Sequence, residues 1–129
     1  MKTSKKNCFV LFQQVGLTIN PFCQRPGCGR PSSAVHHVFP RRNLGTAFES
    51  DNGLSLCNED HDGWARKCPQ EAHDLLKRKI GEERYIFLEA LSRETVRLRE
   101  ADFKAIAVEL QKELERMRGK YENKSLRAS

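Results

Sequence analysis

Residues 35–67 read VHHVFPRRNLGTAFESDNGLSLCNEDHDGWARK, and their turn, strand and helix signals are the most informative in the chain. Asp51-Asn52-Gly53 is a strong turn signal, because Asn and Gly tolerate positive φ. Leu54-Ser55-Leu56 then alternates apolar and polar as a short strand does. Cys57 ends the strand. Asn58 suits the N-cap of a helix that begins Glu59-Asp60-His61, so His61 falls in its first turn and faces back toward the hairpin. The segment therefore predicts strand, loop, turn, strand and helix. His36 and His37 lie on the first strand, where neighbouring side chains point to opposite faces. The two cannot serve one ion side by side; they perform different tasks, or one is structural.

Working outward, Cys23 and Cys28 bracket Gln24-Arg25-Pro26-Gly27, a turn-prone run that brings two thiolates to one side, as a zinc knuckle requires. The chain has five cysteines: Cys8, Cys23, Cys28, Cys57 and Cys68. An odd count without an export signal argues against a disulfide framework. The N-terminus, MKTSKKNCFVLFQQVGL, is basic and then apolar in the manner of a signal peptide. Gln13 and Gln14 interrupt it, however, and no small-x-small cleavage site follows. A cytoplasmic protein is expected.

With 129 residues, 38% hydrophobic and 31% charged, the chain is too apolar for disorder and too charged for a membrane protein, and one domain over residues 1–129 is expected. No run approaches the roughly 20 apolar residues of a membrane span. The formal charge of +6 is uneven: residues 1–50 carry seven basic residues and the single acid Glu49, whereas residues 51–98 are net acidic. A basic N-terminal half points to a polyanion, most often nucleic acid. Lys2, Lys5, Lys6, Arg25 and Arg30 are candidates for nonspecific backbone contacts.

Downstream, residues 70–80 predict a helix with Leu75, Leu76 and Ile80 on one side and Gly81 as its stop. Residues 82–92 predict another, residues 95–98 are β-prone, and residues 99–118 predict the clearest helix. Its stripe of Phe103, Ile106, Leu110, Leu114 and Met117 serves as core or as a dimer surface, so a monomer or a weak homodimer is expected. Gly119 is expected to end that helix, leaving 119–129 as a mobile tail. Trp64 is expected in the core against residues 75–91.

Cys23-x4-Cys28, then His36-His37-Val-Phe-Pro-Arg-Arg, then Asn52-x-Leu-x-Leu-Cys57, then His61, resembles the HNH endonuclease family. The likeness covers residues 20–67, and the stretch from Trp64 to Tyr85 also looks like small phage and prophage HNH proteins. The resemblance implies an α+β fold with a ββα-metal (His-Me finger) motif built on a small β-hairpin at 20–67, and a mainly helical support at 70–118. It implies that His37 is the general base and that His36 and His61 hold one catalytic divalent ion. Asn52 holds the inter-strand loop and orients the base. Cys23, Cys28 and Cys57 match three ligands of a structural zinc. The family often has a further Cys where this chain has Asp60, so Asp60 is either an oxygen ligand of a harder Cys3Asp site or a partner to a ligating histidine. Cys68 is a poor substitute, since it lies about 16 Å along a helix from Cys57 at about 1.5 Å per residue. His73 and Cys8 are further candidates.

Such a site suits phosphodiester hydrolysis. A histidine with a pKa near neutrality can activate water, and one divalent ion can stabilise the leaving oxygen. Imidazole ligands favour Mn2+, with Mg2+ or Ni2+ as alternatives. Arg41 and Arg42 follow the histidine pair at once and are candidate phosphate contacts. The expected function is a metal-dependent endonuclease that nicks double-stranded DNA with low sequence specificity. The competing readings are a non-catalytic zinc-containing DNA-binding module and an interaction protein with a decayed site.

Overall fold

The computed structural model describes the backbone of residues 3–128 and the side chains of residues 4–120. Lys2 lies outside the described residues. The fold is α+β: among the described residues there are five α-helices and a two-stranded antiparallel sheet. In chain order these are α1 (Thr3–Ile19), β1 (Ala34–His37), β2 (Gly53–Leu56), α2 (Ala65–Lys67), α3 (Pro69–Ile80), α4 (Glu82–Ser92) and α5 (Glu100–Ala128). A 3-10 turn, Ser50–Asn52, leads into β2, and a π-helical turn, Asp60–Trp64, runs directly into α2.

The apolar N-terminal stretch is α1. Cys8, Leu11, Phe12 and Val15 are buried at i, i+3, i+4 and i+7, the spacing of one helix face. That face meets Phe103, Leu110 and Leu114 of α5, with Ile106 packed beside them. The α5 stripe is therefore core. Gln13, one of the two polar interruptions, is spent on the sheet: its Nε2 donates to the Val35 carbonyl at 2.9 Å and its Oε1 accepts from the Val35 N–H at 2.7 Å. It thus satisfies the backbone of an edge strand that has no third strand beside it.

β1 and β2 pair with His36 opposite Leu54 and His37 opposite Gly53. A second cluster packs on the hairpin: Val38, Phe39, Leu54 and Leu56 against Trp64, Leu76 and Leu88, with Leu75, Ile80 and Tyr85 at its margin. Trp64 is core, as expected.

Four local expectations need correction. Gly53 does not turn the chain with positive φ; it is the first residue of β2 at φ −109°. Its reason is space, since a Cβ there would stand 2.4 Å from Val35 Cγ1. Asn58 lies inside the helix rather than capping it, and the Cys57 carbonyl accepts the His61 N–H at 2.9 Å. Residues 95–98 form no strand; Leu98 instead packs on the α1–α5 cluster, so its apolar side chain is taken up by burial rather than by pairing. Gly119 does not end α5, which continues to Ala128. One glycine costs about 1 kcal/mol in a helix, and the strong helix formers around it outweigh that. No helix among the described residues is long and apolar enough to cross a membrane.

Candidate functional site

Two groups of side chains converge around the hairpin. The first is built from the knuckle at Cys23–Cys28, the end of β2 and the start of the following helix. The knuckle turns back through Gly27 at φ 85° and Gly29 at φ 70°, a conformation that favours glycine. The Cys28 N–H donates to the Arg25 carbonyl at 3.1 Å. This brings Cys23, Cys28, Cys57 and Asp60 together, with one ligand atom of each within 4.8 Å of the others. Cys28 Sγ and Cys57 Sγ are 3.8 Å apart, and Asp60 Oδ2 lies 3.2 Å from Cys23 Sγ and 3.4 Å from Cys57 Sγ. Around a tetrahedral ion, sulfurs at about 2.3 Å and an oxygen at about 2.0 Å stand about 3.8 Å (S–S) and about 3.5 Å (S–O) apart. The donor set therefore fits a metal ion such as zinc. Burial pushes the Cys23 thiol up to about 12. Burial also opposes ionisation of Asp60, but the Arg25 guanidinium and the surrounding thiols outweigh it and hold the carboxyl well below its ordinary range.

The other cysteines and His73 lie elsewhere. Cys8 is buried between α1 and α5 and donates to the Phe103 carbonyl at 3.1 Å. Cys68 precedes α3, beside Glu71. His73 Nδ1 pairs with the Tyr85 hydroxyl at 2.9 Å, against the Phe39 ring.

The second group holds the histidines. As expected of strand neighbours, His36 and His37 take different surroundings. His36 meets His61 from the helix, ring centroids 5.7 Å apart and nearly perpendicular. His61 Nδ1 lies 3.3 Å from Asp62 Oδ1, which leaves Nε2 as its free nitrogen. Burial, then the nearby His61, lowers the His36 pKa to about 4 and keeps the ring neutral at neutral pH. Among the described residues no third His, Cys, Asp or Glu joins this pair closely enough to complete a three-residue cluster.

His37 stacks on Phe12 at 4.2 Å and meets the edge of Phe9. Its Nε2 lies 2.9 Å from the Ala47 carbonyl. A carbonyl only accepts, so Nε2 carries the proton and Nδ1 keeps its lone pair. Burial lowers the His37 pKa to about 4, partly opposed by that carbonyl.

Asn52 is fully buried and ties down the loop that carries Ala47. Its Oδ1 accepts the Phe39 N–H at 2.8 Å, and its Nδ2 donates to the carbonyls of Phe39 at 2.9 Å and Thr46 at 3.1 Å. Arg41 is exposed and lies 4.3 Å over the Phe9 ring, which holds its charge near His37. Arg42 is exposed. Arg25 and Arg30, grouped with the basic residues above, are instead engaged by Asp60 and Glu59. Sequence reasoning missed Phe9, Phe12 and the Ala47 carbonyl; the apolar 8-11-12-15 spacing of α1 was the signal for Phe12.

Comparison of the chain with models of protein families, with curated proteins and with solved structures finds no match.

Proposed function

We propose that this protein is a metal-dependent endonuclease of the HNH type, with the hairpin and following helix acting as a ββα-metal motif, and that it nicks double-stranded DNA with low sequence specificity. The observation that carries the reading is the contact of His37 with the Ala47 carbonyl: Nε2 lies 2.9 Å from that acceptor, which assigns the proton to Nε2 and leaves Nδ1 as a base, on the strand residue next to His36. His37 Nδ1 takes the proton of the attacking water. His36 and His61 are the residues that would hold the divalent ion, Mn2+ by preference, which when bound would supply Lewis-acid stabilisation of the leaving oxygen. Asp62 beside His61 Nδ1 orients that ring so that Nε2 is its ligand atom. Asn52 acts through the loop, keeping Ala47 against His37. Arg41 and Arg42 seat the DNA backbone, and Arg41 is steadied on Phe9. Cys23, Cys28, Cys57 and Asp60 are the residues that would hold a zinc ion, which would clamp the knuckle to the hairpin.

Supercoiled plasmid incubated with the protein and Mn2+, Mg2+, Ni2+ or chelator tests this. Open circles that form with metal and disappear in His37→Ala are expected. Undiminished nicking by His37→Ala would refute the base assignment. The cysteine cluster also favours a second reading, a zinc-containing DNA-binding module without catalysis. That reading predicts salt-sensitive DNA binding with no metal-dependent strand scission.

A further inference from the structure

Asp60 presents its two oxygens to different partners. Oδ2 faces the sulfurs of Cys23 and Cys57, while Oδ1 accepts from Arg25 Nη1 at 2.7 Å. The Asp60 side chain is 8% exposed, so this is a nearly buried carboxylate whose orientation is set by protein contacts. Arg25 belongs to the knuckle itself, between two of the cysteines, and its guanidinium lies 5.3 Å over the Trp64 ring. Its position is thus held from two directions, by the knuckle backbone and by a core indole.

We infer that Arg25 is a positioning residue of the metal centre: it makes Asp60 a one-oxygen fourth ligand and offsets the centre's excess negative charge. The inference rests on the metal reading of the four-residue cluster. Three thiolates and a carboxylate around a dication leave a net charge of about −2. A cation at hydrogen-bond distance from one ligand relieves that excess without competing for the ion. It also occupies Oδ1, which leaves Oδ2 alone to bind. A cysteine at this position has no second atom to restrain, so only the aspartate version of the site needs the arginine to fix its ligand atom. Arg25 is therefore committed to the metal centre and unavailable to a DNA phosphate.

The experiment is a double-substitution cycle on the full chain, using zinc itself as the probe. Zinc content of the purified wild type is measured first, by elemental analysis. The rate of zinc transfer to a chromogenic chelator is then measured for wild type, Arg25→Ala, Asp60→Cys and the double variant. Arg25→Ala is expected to weaken zinc retention by roughly 10–100-fold, the usual cost of losing an outer partner of a metal ligand. In the Asp60→Cys background, where Arg25 can offset only the charge of a four-thiolate site, the same change is expected to have a clearly smaller effect. Unchanged release from Arg25→Ala would overturn the inference. So would an equal acceleration in both backgrounds, since Arg25 would then act on the knuckle fold rather than through Asp60. A wild type without stoichiometric zinc would overturn the metal reading itself, a result recognised before any variant is compared.

Discussion

Asn52→Ala removes one side chain and orphans three backbone groups at once. The Phe39 N–H and the carbonyls of Phe39 and Thr46 all bond to this carboxamide, at 2.8, 2.9 and 3.1 Å, in a fully buried setting. A buried polar group left without a partner costs about 1–3 kcal/mol. Taking the low end for each, because the relaxed loop admits some water, the loss is about 3 kcal/mol. Against a total stability of about 5–15 kcal/mol this is a large fraction. For a chain of this size it corresponds to a drop in Tm of about 10 °C. Urea unfolding followed by circular dichroism, with zinc present throughout, measures it. Ser50→Ala serves as the control, since it removes one part-buried bond from the same segment to Glu113 and is expected to cost no more than about 1 kcal/mol. Asn52→Asp sharpens the test. It keeps the acceptor for Phe39 N–H but turns an oxygen toward two carbonyls, so it should be most destabilising at neutral pH and partly recover in acid, where the protonated group donates. A loss below 1 kcal/mol for Asn52→Ala, or His37-dependent nicking left intact by it, would refute the view that this amide holds the Ala47 carbonyl against the base.

Other outcomes follow from the same geometry. His36→Ala and His61→Ala should each raise the metal concentration needed for nicking, whereas His37→Ala should lower the rate at saturating metal; a metal titration separates the two. In chelated protein, His36 and His37, both lowered to about 4 from an ordinary 6.5, bind protons more readily when unfolded. Stability is thus fully present above about pH 6.5 and falls as pH drops toward 4, by about 2 kcal/mol per histidine after allowing for partial exposure, as urea midpoints across that range would reveal. Asp60→Ala should abolish stoichiometric zinc and lower Tm, read by elemental analysis and calorimetry. Gly53→Ala drives a Cβ to 2.4 Å from Val35 Cγ1 and should cost about 1–3 kcal/mol, while Gly63→Ala, with nothing within 4 Å, should be tolerated; equal stabilities would contradict the close packing of the hairpin.

Residue pattern alone was enough to locate the elements near the site. Alternation at Leu54-Ser55-Leu56 placed β2, the stripe from Phe103 to Leu114 placed α5, and Gly81 separated α3 from α4. Adjacent positions on one strand were enough to predict that His36 and His37 meet different partners. Tertiary structure decided what those side chains touch. Whether Asp60 joins Cys23, Cys28 and Cys57 depends on a knuckle more than 30 residues earlier folding onto the helix start, which residue spacing does not encode. The tautomer of His37 depends on a backbone carbonyl, and every residue type supplies one, so no side-chain pattern could point to Ala47. The N-terminal segment showed the limit most plainly. An amphipathic helix and a leader peptide share a basic start and an apolar run, and although Gln13, Gln14 and the lack of a cleavage site argued against a leader, nothing in the pattern said what the segment packs on. Burial of one face against α5, and the two hydrogen bonds of Gln13 to the backbone of β1, made it the floor on which the histidine strand rests.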